Sequence, residues 1–170
     1  VALTRLGHYA GEIDGAVGPA TSKAFAKYMT QADPLMADVL AKEVDFFSIG
    51  TNDLTQYTLA MDRGNSLLSA RQDGLHPAVL RLIARTIEGA HKHGKWAGIC
   101  GELGSDPYAV PILIGLGIDE LSVNVPSIPL VKAQIRGLTA SELHGLAQQA
   151  LDCSTAHEVR DLVKRTLKLS

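Results

Sequence analysis

Three times along the chain a short apolar run stops at a polar or glycine-rich break. Residues 45–49, "DFFSI", lead into Gly50 and "TNDLTQ"; 95–100, "KWAGIC", lead into "GELGSDP"; 119–124, "DELSVN", lead into "VPSIP". Apolar runs of this length, bounded by turn residues, read as buried strands that end at loops. Between them the apolar spacing becomes helical. In "HPAVLRLIARTIEGAHKHG" (76–94), Val79, Ile83, Ile87 and Ala90 fall on one stripe, with Pro77 at a first helical position and Gly94 at the stop. "DPYAVPILIGLG" (106–117) reads as a helix with Asp106 as N-cap and Pro107 at its first position. Pro111 then falls past the first turn, which predicts a lost hydrogen bond and a kink. "SIPLVKAQIRG" is a further helix. Thr139 with Glu142, and Thr155 with Glu158, form two capping boxes that open the last two helices.

Residues 36–137 therefore alternate helix and strand, the pattern of an α/β fold with parallel strands and right-handed crossovers. Three strands are too few to close a barrel, which takes about eight. An open sheet edge should be covered by another chain or segment. Residues 1–31 have a different texture. They are rich in glycine and then turn helical, with no strand–helix alternation, so we divide the chain into a lead-in (1–31) and an α/β domain (32–170).

Composition narrows the setting. The chain has 170 residues, 46% of them hydrophobic, enough for one domain with a real core. A net charge of −2 offers no basic field for nucleic acid or a membrane surface. No apolar run approaches the ~18 residues of a membrane span. Two cysteines make no disulfide framework, which favours a reducing cytoplasm. The chain opens on "VALTRLGHY", without Met or a signal peptide, like a start cut from something longer or a mature end.

Candidate chemistry gathers where the strands stop, because α/β sheets bind ligands outside the carboxyl ends of their strands. Asp53 can hold a hard cation. Asn52 can donate to a phosphate or carboxylate, and Arg63 offers a planar fork to either. Against this stands a plainer reading, in which Asn52 or Asp53 is a helix N-cap and Arg63 a surface arginine. Cys100 follows the same logic. A free cysteine is often a small buried hydrophobe, but Gly98 and Gly101 beside it let backbone approach a ligand closely. An ordinary thiol is mostly protonated at neutral pH, which suits a proton donor, and a nearby Glu102 would favour that form. Cys153, between two capped helices, reads as structural. His91 and His93 suit a helix C-terminus and do not share a helical face. His76 reads as a cap with a weaker claim as a ligand.

Together "DFFSIGTNDLTQYTLAMDRGN", "HPAVLRLI" and "GKWAGICGELGSDP" resemble the C-terminal barrel of the Enzyme I family. These are the phosphoenolpyruvate–protein phosphotransferases of the bacterial sugar phosphotransferase system. Pyruvate phosphate dikinase and phosphoenolpyruvate synthase share looser versions of the motifs. The resemblance covers roughly residues 35–170 and implies about three βα units from the C-terminal portion of a phosphoenolpyruvate-utilising TIM (βα)8 barrel. It implies that Asp53 binds an essential Mg²⁺, Asn52 contacts the ligand and Arg63 holds the substrate phosphate. Cys100 would protonate the enolate of pyruvate after phosphoryl transfer. The implied partners are phosphoenolpyruvate and pyruvate, a phosphocarrier-type domain bearing the acceptor histidine, which this chain lacks, and a second copy of the chain.

The sequence departs from that pattern in three ways. Only the last three strand–helix units are present. The glutamate that serves the family as second metal ligand, upstream of "MADVLAKE", is replaced by Met29 on an ungapped count. Residues 1–28 instead resemble a peptidoglycan-binding repeat, a glycine–aspartate turn leading into a helix. Two further readings therefore stand beside the transferase: a non-catalytic assembly module that keeps the half-barrel and a weak anion site, and a cell-wall-associated binding protein.

Overall fold

The computed structural model describes residues 35–69 and 71–168. The 1–31 lead-in, its peptidoglycan-binding resemblance and Met29 lie outside the described residues. The elements are α1 (Leu35–Leu40), β1 (Phe46–Gly50), α2 (Thr51–Leu59), α3 (Ser66–Ser69), α4 (Pro77–Lys92), β2 (Trp96–Cys100), α5 (Ala109–Gly115), β3 (Glu120–Ser122), α6 (Ile128–Arg136), α7 (Ala140–Asp152) and α8 (Ala156–Leu167). Short 3₁₀ turns at Glu102–Ser105 and Val125–Ser127 lead out of β2 and β3.

The three strands pair in parallel in the order β1-β2-β3, with Ile49 opposite Ile99 and Ile99 opposite Leu121. Strand side chains alternate between faces, and the two faces of this sheet differ. Ile49, Ala97 and Ile99 are buried against the helices, with Phe47 and Leu121 packed on the same core. The other face carries Phe46, Ser48, Trp96, Cys100, Glu120 and Ser122, all exposed. There the Phe46 and Trp96 rings stack at 4.4 Å. Trp96 lies over Gly98, where an added Cβ would stand 3.2 Å from the indole. Gly98 thus makes room for a ring of its own strand.

Among the described residues, helices cover one side only. The expected stripe of α4, with Leu80 added, is buried on the sheet, and Ile112, Leu113, Leu143, Leu146, Val159 and Val163 complete the core. His76 caps α4, its Nδ1 accepting from the Ala78 N–H at 3.2 Å. The two histidines near the end of α4 each contact a carboxylate. His91 meets Asp119 at 2.8 Å, and His93 shares Asp38 of α1 with Lys92. Asp119 also accepts from the Ala97 N–H at 2.8 Å, which locks the start of the β2–β3 pairing.

Three local expectations change. The helix after β2 begins at Ala109, two residues beyond Pro107. Asp106 still organises its start, accepting from the Tyr108 N–H through Oδ1 and from Ala109 and Val110 through its carbonyl. Pro111 therefore falls within the first turn, where a missing N–H breaks no ladder bond. The Pro107 carbonyl, which an N–H at position 111 would serve, accepts instead from Gln134 Nε2 of α6 at 2.6 Å. Of the two capping boxes, Thr155 forms its bond to the Glu158 N–H at 3.2 Å, while Thr139 makes no side-chain cap. Glu158 reaches back to the N–H of Ser154, one residue before the threonine. Among the described residues no helix is long and apolar enough to cross a membrane.

Candidate functional site

Gly50 and Cys100, the last residues of β1 and β2, are register partners, so both strands stop at one level. α2 starts at once. Its N-cap is Gly50, in an extended conformation and without a side-chain cap. Asn52 and Asp53 thus lie inside the first turn and neither caps the helix, which corrects the plainer reading of them. The turn is tied to the neighbouring strand end by the Thr51 hydroxyl, which donates to the Cys100 carbonyl at 3.3 Å. Gly101 follows at φ +129°, a conformation L side chains rarely adopt. A Cβ there would stand 2.4 Å from Thr51 Oγ1 and 3.2 Å from Asn52 Oδ1. Backbone thus passes beside the Asn52 amide as closely as it can.

Asp53 folds back toward Gly50, its Oδ2 standing 4.0 Å from where a Cβ on that glycine would be. Its Oδ1 pairs with Arg63 Nη2 at 3.3 Å. The loop bearing Arg63 is folded onto α2 by the bond from the Arg63 N–H to Gln56 Oε1 at 3.2 Å. Both side chains of the pair are more than half exposed, 56% for Arg63 and 66% for Asp53. An ion pair in so much water is worth about 0–1 kcal/mol, so an arriving anion can displace the carboxylate from the guanidinium at little cost.

Beside them lies a cleft of about 370 Å³, outside the carboxyl ends of β1 and β2. Asn52 and Arg63 line it, with Asp73, Glu102, Asp106 and Arg160. Asp53 and Cys100 stand outside its walls. Cys100 is exposed on the open face of the sheet rather than buried as a small hydrophobe. Two guanidiniums face three carboxylates in the cleft, and Arg160 is already committed to Asp73 and Asp106. An anion entering alone therefore meets no net positive field.

Cys153 ends α7, its thiol donating to the Gln149 carbonyl at 3.5 Å, and burial with the nearby Glu158 and Asp152 carboxylates pushes it up. That suits an inert structural cysteine. His76 is not among the residues lining the cleft. Among the described residues no group of three or more His, Cys, Asp or Glu side chains is arranged to hold a metal ion. Arg160 and Asp73 were missed in the sequence. They are 87 positions apart, and neither motif nor periodicity links them.

Comparison with known proteins gives a consistent picture. Residues 30–140 match the family described as PEP-utilising enzyme, PEP-binding domain. A multiphosphoryl transfer protein of Xanthomonas campestris pv. campestris is 59% identical over 126 residues, 74% of this chain and 15% of that protein. The phosphoenolpyruvate-protein phosphotransferase of Staphylococcus epidermidis is 52% identical over 137 residues, 81% of this chain and 24% of that protein. Its counterpart in Staphylococcus carnosus is 49% identical over 133 residues, 78% of this chain and 23% of that protein. The chain thus spans less than a quarter of the length of these relatives.

Proposed function

The chain belongs to the PEP-utilising enzyme family, in its PEP-binding domain, and on that premise we propose that its strand ends form part of a phosphoenolpyruvate site for phosphoryl transfer to a protein histidine. The observation that carries this reading is the weak Asp53–Arg63 pair at the mouth where the Cys100 strand also ends. Arg63 takes the phosphate, Asn52 donates to the phosphate or carboxylate, and Asp53, released from the arginine, turns to a cation. Transfer of this kind depends on positioning and charge neutralisation more than on covalent chemistry.

The residues fit Mg²⁺ in one form only. With no cluster of three ligating side chains among the described residues, Asp53 would hold the ion together with substrate oxygens and water, which Mg²⁺ accepts readily. Bound there, it would neutralise phosphate charge and offset the carboxylates of the cleft. Cys100 is exposed at the end of β2, outside the walls of the cleft, so its role requires a ligand that extends from the cleft past that strand end. In the forward direction the phosphorus–oxygen bond of phosphoenolpyruvate breaks, the phosphoryl group passes to the acceptor imidazole and pyruvate enolate remains. The Cys100 thiol donates its proton to the methylene carbon of the enolate, giving pyruvate, and the thiolate recovers a proton from water.

The acceptor histidine comes from another domain or chain. The sheet face that no described helix covers, with Phe46 47% and Trp96 41% exposed, supports completion of the site by further strands or by a second copy, and equally supports an assembly role without turnover. The two free thiols support a reducing, cytoplasmic setting.

Thermal melting tests the proposal. A ligand tenfold above its Kd stabilises by about 1.4 kcal/mol, which raises Tm by roughly 3–6 °C in a domain of this size. Phosphoenolpyruvate and Mg²⁺ together should give that rise, each alone should not, and Arg63→Ala should abolish it. A flat response to millimolar ligand with Mg²⁺ rejects the site and leaves the assembly role.

A further inference from the structure

Arg160, on the last helix, lies far along the chain from every motif residue, yet its guanidinium forms one wall of the cleft. Nε donates to Asp73 Oδ2 at 2.9 Å, and Nη2 donates to Asp73 Oδ1 at 3.0 Å and to Asp106 Oδ2 at 2.9 Å. Each carboxylate also shapes its own loop. Asp73 Oδ1 accepts from the Leu75 N–H and Asp106 Oδ1 from the Tyr108 N–H. The two loops touch at Gly74 and Leu103, where a Cβ on the glycine would stand 2.9 Å from the leucine. The first loop continues toward the arginine of the site, because the Gln72 side-chain amide donates to the Met61 carbonyl, two residues before Arg63. The second loop leaves directly from Cys100 through Gly101.

We infer that Arg160 is a positioning residue, a single cation that clamps the Arg63 side of the cleft to the Cys100 side by holding two carboxylates that would otherwise repel each other. The inference rests on the phosphoenolpyruvate reading above. All three side chains are largely shielded, with exposures of 21–29%, so the charges act with less screening than the Asp53–Arg63 pair. The bidentate contact needs a planar fork, which lysine lacks. The Tyr108 ring, 5.4 Å from the guanidinium carbon, supports it from the second loop.

The test combines hydrogen exchange without ligand and calorimetric titration of phosphoenolpyruvate with Mg²⁺, on the full chain. In Arg160→Gln, exchange should rise at residues 71–76 and 101–108 while α4 and α7 keep their protection. Affinity should fall on the order of tenfold or more, the scale of a small misplacement of binding groups. Arg160→Lys should recover only part of it. Adding Asp73→Asn and Asp106→Asn to Arg160→Gln removes the repulsion and keeps the side-chain oxygens that shape both loops. That triple variant should regain most of the affinity and the protection. Unchanged exchange at both loops overturns the clamp. Faster exchange with unchanged affinity overturns the positioning role, as does a triple variant no better than the single one. If the unaltered chain binds no phosphoenolpyruvate with Mg²⁺, the site reading fails and the positioning role fails with it, while the exchange measurement still decides whether the clamp exists.

Discussion

The hydroxyl of Thr51 reaches across from the start of α2 to the carbonyl of Cys100, 3.3 Å away. That bond joins the two strand ends on which the candidate site stands, and the space beneath it is filled by Gly101. A methyl group on residue 101 would meet the Thr51 oxygen at 2.4 Å, with the backbone at φ +129°. Gly101→Ala should therefore cost about 2–4 kcal/mol, from strain and a forced shift of the turn. Urea unfolding checks this; a loss below ~1 kcal/mol would mean that the turn yields freely.

Cys100 is proposed as the proton donor, which can be isolated from phosphoryl transfer. Given pyruvate, Mg²⁺ and D₂O, the chain should speed the entry of deuterium into the pyruvate methyl group, followed by proton NMR. Cys100→Ala should lower that rate by roughly 10²-fold or more, the usual contribution of a general acid or base. The phosphoenolpyruvate-dependent rise in melting temperature should survive. Loss of binding with the thiol would instead make Cys100 a ligand contact.

α5 and α7 meet at Gly115, where a Cβ would stand 2.2 Å from the Leu143 carbonyl oxygen and 2.8 Å from the Ala147 methyl. Backbone cannot yield as a flexible side chain does, so Gly115→Ala should destabilise by about 2–4 kcal/mol. Gly145→Ala is the control. Its Cβ would meet nothing within 4 Å, and alanine in a helix interior should gain up to ~1 kcal/mol. The order of the two urea midpoints tests the packing.

Hydrogen bonds from Lys92 and then His93 outweigh burial and hold the Asp38 carboxyl below the usual aspartate range. A carboxylate whose pKa is depressed by folding adds stability that is full above its unfolded value and lost as pH falls through the folded one. The attachment of α1 to α4 should thus weaken below about pH 4, the ordinary aspartate range. Amide exchange of residues 37–41 between pH 6 and 3 follows it. Asp38→Asn should remove that acid-dependent step, and a step that persists would belong to another carboxylate.

Much of this protein was legible along the chain because its signals are local. Apolar runs closed by glycine and polar residues set the three strands within a residue or two, and the α4 stripe marked its buried face. The motifs around Asn52, Asp53, Arg63 and Cys100 are contiguous stretches, so the family could be read from them directly. Pro111 misled because helix starts are set by whichever turn first satisfies its backbone. Here Asp106 delays the helix to Ala109, and Gln134 of a later helix supplies the bond that the proline cannot.

The sequence by itself determined the three strands, the helices from α4 onward, the parallel α/β character and the identity of the residues that stand at the strand ends, whereas the polar stretch that forms α2 reads there as a loop. Only the tertiary structure decided which of them meet: the register that sets Cys100 beside Gly50, the exposed pairing of Asp53 with Arg63 and the grip of Arg160 on two loops. Backbone pattern and side-chain polarity act between near neighbours and are written in the order of residues. Pairings such as Arg160 with Asp73 depend on how whole helices pack on the sheet, and no short stretch of chain encodes that.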